Sequence, residues 1–375
     1  MSVVNIMLAC LIVGYFFSFV SIKILKPYSH KVGLVDKPNQ RKNHYGEIPL
    51  IGGIAVYCSL LITSILILPD TTQLRLFLFA TGAMVLVGAI DDRFDLRVRH
   101  RLLAQVLIAC LMIFGLGVYL EQLGDIFNVG VITLGVFGVG FTILCVLGAI
   151  NAFNMVDGID GLVGSLSINS FLSIMLLVLL SNSFQFAIHT FEVVIPCVIS
   201  VSILAYLRFN LFTQKRIKKV FMGDAGSMFI GLSIVWLLTV CTQGDSPLFR
   251  PVAALWIIAI PLIDMLTIVK RRILRKQNPF KPDRDHLHHI FMRVGFTDRQ
   301  ALMIITAVSI SMSTIGILGE VLKVNESIMF VGFILALICY IFFIRHVWKF
   351  TIKLRKLLSV DKLQYQDSIL KNQSK

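Results

Sequence analysis

Acidic side chains are scarce in this chain of 375 residues: 21 Asp and Glu stand against 35 Lys and Arg, and charged residues of both signs make up only 15% of it. With 57% hydrophobic residues and a mean hydropathy of +0.84, that scarcity excludes a soluble domain, whose surface needs far more charge. Paired cysteines are lacking too. Cys10, Cys58, Cys110, Cys145, Cys197, Cys241 and Cys339 all fall in long apolar runs with no Cys-x-x-Cys pair, which argues against disulfides and zinc–thiolate sites. The sequence shows no internal repeat, no linker and no separate soluble domain.

Apolar runs of about 17–25 residues, the length that crosses a bilayer, are what the chain has in abundance. We expect about eleven, near 3–25, 50–68, 73–90, 102–120, 130–150, 162–180, 191–209, 225–242, 251–270, 301–319 and 327–345. The fold class is therefore all-α, a polytopic membrane protein. Gly135, Gly138 and Gly140 dilute the fifth run. The first is not a signal peptide, because Lys23 and Lys26 follow the apolar stretch instead of preceding it.

Of the Lys and Arg, only Arg75, Arg250 and Lys323 lie opposite the loops 26–49, 91–101, 208–224 and 270–300 and the tail from 345. Positive loops stay in the cytoplasm, so the N-terminus is expected outside, in the periplasm, and the C-terminus inside. Residues 1–345 read as one transmembrane catalytic domain and 346–375 as a basic cytoplasmic tail. The net charge of +14 then reflects topology and attraction to the anionic lipid bilayer, not nucleic-acid binding. The run Arg271, Arg272, Arg275 and Lys276 is dense enough to suggest an anionic ligand as well.

The few acids gather on that basic side. Asp91 and Asp92 sit in one loop, and Asp157 and Asp160 in the stretch Asn-Ala-Phe-Asn-Met-Val-Asp-Gly-Ile-Asp-Gly. A carboxylate near hydrocarbon costs several kcal/mol (~3 or more) unless solvated, paired or cation-bound. Four of them point to a divalent metal and a phosphorylated substrate. Asp91 and Asp95, at i and i+4, are expected to share a helix face with Asp92 turned away. Pairing with Arg93, Arg97 and Arg99 is the alternative. Asn154, Asp157 and Gly161 follow a spacing that suggests a helix end opening onto a cavity.

Three more loops carry polar chemistry. The first inner loop holds Asp36, Arg41, Lys42 and His44, able to reach phosphates, among Pro38, Pro49, Gly52 and Gly53. The fourth holds Asn210 and then Phe221-Met-Gly-Asp224-Ala-Gly-Ser227 at a helix start, with Asp224 either a cap or a metal ligand. In the fifth, Arg284, His286, His288 and His289 suit phosphate or proton handling better than zinc, given their cationic surroundings.

Taken together, Asp36-Lys-Pro-Asn, Arg41-Lys-x-His44, Ile48-Pro-Leu-Ile-Gly-Gly53, Asp91-Asp-Arg-Phe-Asp95, Asn151 to Leu162, Phe221 to Ser227 and Asp283 to His289 resemble the polyprenyl-phosphate N-acetylhexosamine-1-phosphate transferases. The Asp-Arg-x-His-x-His-His end of the fifth loop is similar to the branch using UDP-GlcNAc. The resemblance implies transfer of GlcNAc-1-phosphate from UDP-GlcNAc to undecaprenyl phosphate in a bacterial inner membrane, with release of UMP and with Mg²⁺ or Mn²⁺. It starts a lipid-linked surface glycan and leaves a homodimer open. It further implies Asp224 as the firmest metal ligand with Asp92 also on the metal, and Asp91, Asp92 and His286 as catalytic, the two aspartates beside metal and lipid phosphate. Asn154, Asp157, Asp160 and Asn210 would hold the nucleotide-sugar. Arg284, His286 and His288 would engage phosphates or sugar, with Asp36 and Lys42 at the rim and Arg272 also on the substrate. A sister enzyme using UDP-MurNAc-pentapeptide is the nearest alternative. A transporter of polyprenol-linked sugars is remote, since it would need polar groups at mid-membrane.

Overall fold

A computed structural model of the chain describes residues 3–37, 46–212, 219–276 and 287–357, with backbone alone for 3, 4, 288, 289, 293, 294 and 347–357. The architecture is nearly all-α. Helices α1 (Val3–Val32), α2 (Gly52–Ile67), α3 (Thr72–Phe94), α4 (Val98–Leu116), α5 (Gly138–Val156), α6 (Leu162–Leu180), α7 (Thr190–Asn210) and α8 (Gly223–Thr242) form the first part. There follow α9 (Pro251–Ile257), α10 (Ala259–Leu274), α11 (Leu287–Val294), α12 (Asp298–Val321) and α13 (Glu326–Leu357). Strands β1 (Val35–Asp36) and β2 (Ile48–Pro49) pair antiparallel, Asp36 opposite Ile48.

Among the described residues nine helices are long and apolar enough to cross a membrane, ten if the α9–α10 pair is one span. This is a multi-pass membrane protein. Every expected run falls on a helix, but two differ in form. α2, at 16 residues, is shorter than a full crossing. The ninth run breaks: α9 and α10 meet at 81°. Pro261 has no N–H to give the carbonyl of Ile257, and its ring crowds that turn, so the helix parts at Ile258. Ser170 Oγ donates to the stranded Ile257 carbonyl at 3.2 Å.

The fifth run also starts later than expected. Residues 130–134 lie in a turn bridged at Gln122 and Thr133, and the helix begins only after Gly135, whose φ is +49°. Gly130 (φ +99°) and Gly135 take up left-handed backbone that holds this turn outside the helix. The shift carries α5 on to Val156, so Asn151 and Asn154 lie in its last turns.

α8 is the axis of the bundle. Of its apolar stretch 94% is buried, against 11% for α13, which faces outward. Membrane helices gain no hydrophobic drive against one another, so close backbone packing decides which helix sits innermost. Glycines permit it here: a Cβ on Gly53 of α2 would stand 2.1 Å from Gly226 Cα, and one on Gly88 of α3 would stand 2.4 Å from Ala225 Cα. Trp236, Phe229 and Phe77 fill the layer behind them.

Candidate active site

Three backbone connections tie the first inner loop of the sequence to the segment entering α8. Phe221 N donates to Pro49 O at 2.9 Å, Gly52 N to Phe221 O at 2.9 Å and Gly53 N to Met222 O at 3.0 Å. The β-ribbon bearing Asp36, which is buried, is thus fixed to the segment entering α8.

Asp91 and Asp92 occupy the last turn of α3 and face different partners. Asp91 is buried; its Oδ1 accepts from Leu96 N at 2.8 Å and its Oδ2 from Arg101 Nη1 at 3.0 Å. The expected face shared with Asp95 does not form. α3 stops at Phe94, and Asp95 is a left-handed C-cap (φ 51°), exposed, with its N–H on Asp91 O. Arg101 on α4 pairs with Asp91; it was overlooked in the sequence because its reach depends on how α3 and α4 cross.

Asp92 accepts from the backbone of α8: Asp224 N reaches its Oδ1 at 2.8 Å and Ala225 N its Oδ2 at 3.1 Å. Asp224 is therefore not the cap of its own helix. Its Oδ1 instead accepts from Asn154 Nδ2 at 2.7 Å, and that amide also donates to Ser227 Oγ at 2.9 Å. The Asp224 carboxyl adjoins those of Asp91 and Asp157.

Asp157 caps α5 at its C-terminal end rather than standing on the helix face with Asn154. Its side chain keeps access to solvent although protein surrounds it closely. Its carboxyl is pushed up to about 7, by burial first and then by the charges of Asp224 and Asp160.

Asp160 is ion-paired with Lys219, whose Nζ also lies 5.2 Å from the centre of the Phe221 ring. Both line a recess of about 240 Å³ with Asn210, Leu211, Asp298, Arg299 and Leu302. Asn210 is buried; its Nδ2 donates to Val220 O at 3.0 Å, while its Oδ1 has no hydrogen-bond partner among the described residues. Lys219, Asp298 and Arg299 gave no sequence signal beyond their charge. Arg272 is buried in the last turn of α10. Lys42, Arg284 and His286 lie outside the described residues, and His288 is described by its backbone in α11 alone. Leu287 of α11 shares an apolar cluster with Val156, Ile159 and Leu162, which flank Asp157 and Asp160.

Five carboxylates, Asp91, Asp92, Asp157, Asp160 and Asp224, thus gather with two paired cations, Arg101 and Lys219, among the described residues. That surplus of hard oxygen donors fits a divalent cation. Among the described residues no three acidic, His or Cys side chains form a ready-made cage. Mg²⁺ does not need one, since it commonly binds through one or two carboxylates, waters and substrate phosphates.

A cluster of carboxylates suited to a cation, at the ends of apolar helices, defines a multi-pass membrane protein built for phosphate chemistry. The family model for glycosyl transferase family 4 matches residues 74–242. Over 354 residues the chain is 44% identical to the undecaprenyl-phosphate α-N-acetylglucosaminyl 1-phosphate transferase of Pasteurella multocida (strain Pm70), covering 94% of this chain and 97% of that protein. The proteins of the same name from Haemophilus influenzae (44% over 346 residues; 91% and 94% covered) and Escherichia coli strain K12 (42% over 335 residues; 89% and 88%) are similar throughout as well. The chain belongs to this family of membrane sugar-phosphate transferases.

Proposed function

We propose that the protein transfers GlcNAc-1-phosphate from UDP-GlcNAc to undecaprenyl phosphate, releasing UMP and forming the first lipid-linked intermediate of a surface glycan. The observation that carries this reading is the convergence of Asp91, Asp224 and Asn154 from three separate helices. The relatives' name supports the acceptor and the sugar. We read the remaining apolar helices as completing about eleven crossings, with the acidic end cytoplasmic, in a bacterial inner membrane. Residues 1–345 act as one catalytic domain followed by a basic tail.

Two phosphates must meet, so their mutual repulsion is the main obstacle, and electrostatic neutralisation with positioning is the largest contribution available. A divalent cation, Mg²⁺ or Mn²⁺, held at Asp224 with Asp91 and Asp92 beside it would supply that neutralisation. The carboxamide of Asn154 holds Asp224 in place. Asp157, Asp160, Asn210 and Lys219 hold the nucleotide-sugar, with Asp36, Lys42 and Arg272 contributing at its margin. Arg284, His286 and His288 engage phosphates or sugar.

We favour in-line attack by a lipid-phosphate oxygen on the sugar-linked phosphorus. A phosphate monoester has a second pKa of about 6 and needs little help losing a proton near pH 7. Asp91, with both oxygens already accepting hydrogen bonds, is poorly placed to take one. Membranes supplied with undecaprenyl phosphate and a panel of UDP-sugars test the proposal. UMP release with UDP-GlcNAc and its loss in EDTA are expected; release with another UDP-sugar alone would refute the specificity.

A further inference from the structure

α8 begins without a capping side chain of its own. Met222 stands at its N-cap in helical conformation and makes no side-chain hydrogen bond to the first turn. The four leading N–H groups of a helix have no intrahelical partners, and a buried one left unpaired is costly. Here two of them, on Asp224 and Ala225, are taken by the two oxygens of Asp92, at 2.8 and 3.1 Å, from another helix.

The contact is built from both sides. Gly88 and Asp92 are four residues apart and share a face of α3. Gly88, lacking a side chain, lets the Asp224–Ala225 backbone approach, since a Cβ there would stand 2.7 Å from Asp224 C. On the α8 side Gly223 has φ +75°, and a Cβ on it would stand 2.5 Å from Asp92 Oδ2. A larger residue at either glycine would press on this contact.

From this geometry we infer that Asp92 is a positioning residue: it caps α8 from α3 and thereby sets where the Asp224 carboxylate stands, acting through the Asp224 backbone instead of as a cation ligand. The inference rests on Asp224 holding the cation. It separates the neighbouring aspartates by task, Asp91 turned to Arg101 and Asp92 to the α8 backbone. A ligand and a cap also differ in sign. Deleting one charge from a repelling carboxylate cluster stabilises the metal-free protein, whereas deleting a cap destabilises it.

The test is thermal unfolding of the full chain in detergent, first in EDTA and then titrated with MgCl₂ alone. Asp92→Asn, which keeps one acceptor and turns an amide N–H₂ toward the other backbone N–H, is expected to lower the Tm in EDTA by about 1–2 °C. It should also raise at least threefold the Mg²⁺ concentration giving half the maximal stabilisation. A Tm that rises in EDTA overturns the inference, because that is the signature of a relieved ligand cluster. An unshifted Mg²⁺ midpoint overturns it too, leaving Asp92 a structural cap only. Should Asp92→Asn not fold, Gly223→Ala presses on the same contact from α8. It is expected to shift the midpoint in the same direction, and no shift refutes the idea. Asp224→Asn separates the two levels of the argument. If it leaves the midpoint unmoved, the cation reading fails and the inference with it. If it moves the midpoint while Asp92→Asn does not, the inference alone fails.

Discussion

Replacing Arg101 by Met removes the charge that faces Asp91 while keeping most of the side-chain volume. The pair is close and dry: Nη1 and Oδ2 are 3.0 Å apart, with side-chain exposures of 16% and 3%. At that separation and an effective dielectric of about 20, the gross Coulomb attraction is ~5 kcal/mol. The net loss is smaller, because Arg101 also recovers its hydration when the protein unfolds. Breaking a buried pair from one side costs about 3–5 kcal/mol through the stranded charge. The lower end applies here, since Leu96 N still donates to Asp91 and the Arg101 Nε has no partner to lose among the described residues. About 3 kcal/mol corresponds to a fall in Tm of roughly 4 °C for a chain of this size. The assay is thermal unfolding in detergent with EDTA, where no cation can stand in for the arginine. Added Mg²⁺ should recover part of the loss. The double variant Asp91→Asn with Arg101→Met should recover most of it without restoring turnover, because no unpaired charge remains. A single-variant loss under ~1 kcal/mol, or a double variant no more stable than the single, would refute the claim that this pair is buried and isolated.

Three further outcomes are expected. Asp224→Asn should insert normally but lose metal-dependent UMP release by at least ~100-fold; near-wild-type turnover at limiting Mg²⁺ removes it from the site. Asp91→Asn should show a rate deficit that is flat from about pH 6 to 9, given a phosphate second pKa of about 6, whereas recovery at high pH would reinstate a general-base role. For Asp157 the folded carboxyl binds its proton more tightly than the unfolded one, at about 7 against the ordinary 3.8. Its contribution to stability is thus fully present below pH 3.8 and is lost as pH rises through about 7. Without metal, Asp157→Asn should flatten the fall in Tm across that window, and an unchanged slope in the variant would contradict the upward shift.

Much of the site was legible before any coordinates. Asp91, Asp157, Asp160 and Asp224 stand out because carboxylates are rare in so apolar a chain and their cost demands a reason. Asn154 and Asn210 are identifiable by their place in the same segments, and Asn154 does reach Asp224. Arg101 and Lys219 were not legible, since each is one basic residue among many on a positive face. Their pairing with Asp91 and Asp160 depends on side chains brought together from separate loops and helices. The Asp95 expectation failed for a local reason: the helix ended one residue too early for the i, i+4 rule to apply.

The sequence by itself determined that the chain crosses a membrane many times and that its few acids gather in a handful of polar segments between apolar runs. These are properties of composition and order along the chain, and hydrocarbon enforces them segment by segment. Only the tertiary structure decided which helix lies at the centre, where the ninth run breaks, and which of two adjacent aspartates meets a cation partner and which meets a helix end. Those outcomes turn on backbone approaches of a few ångströms at Gly53, Gly88 and Gly223, between segments far apart in the chain. Adjacent residues on a helix point about 100° apart, so Asp91 and Asp92 look alike in sequence and part company once their neighbours are packed around them.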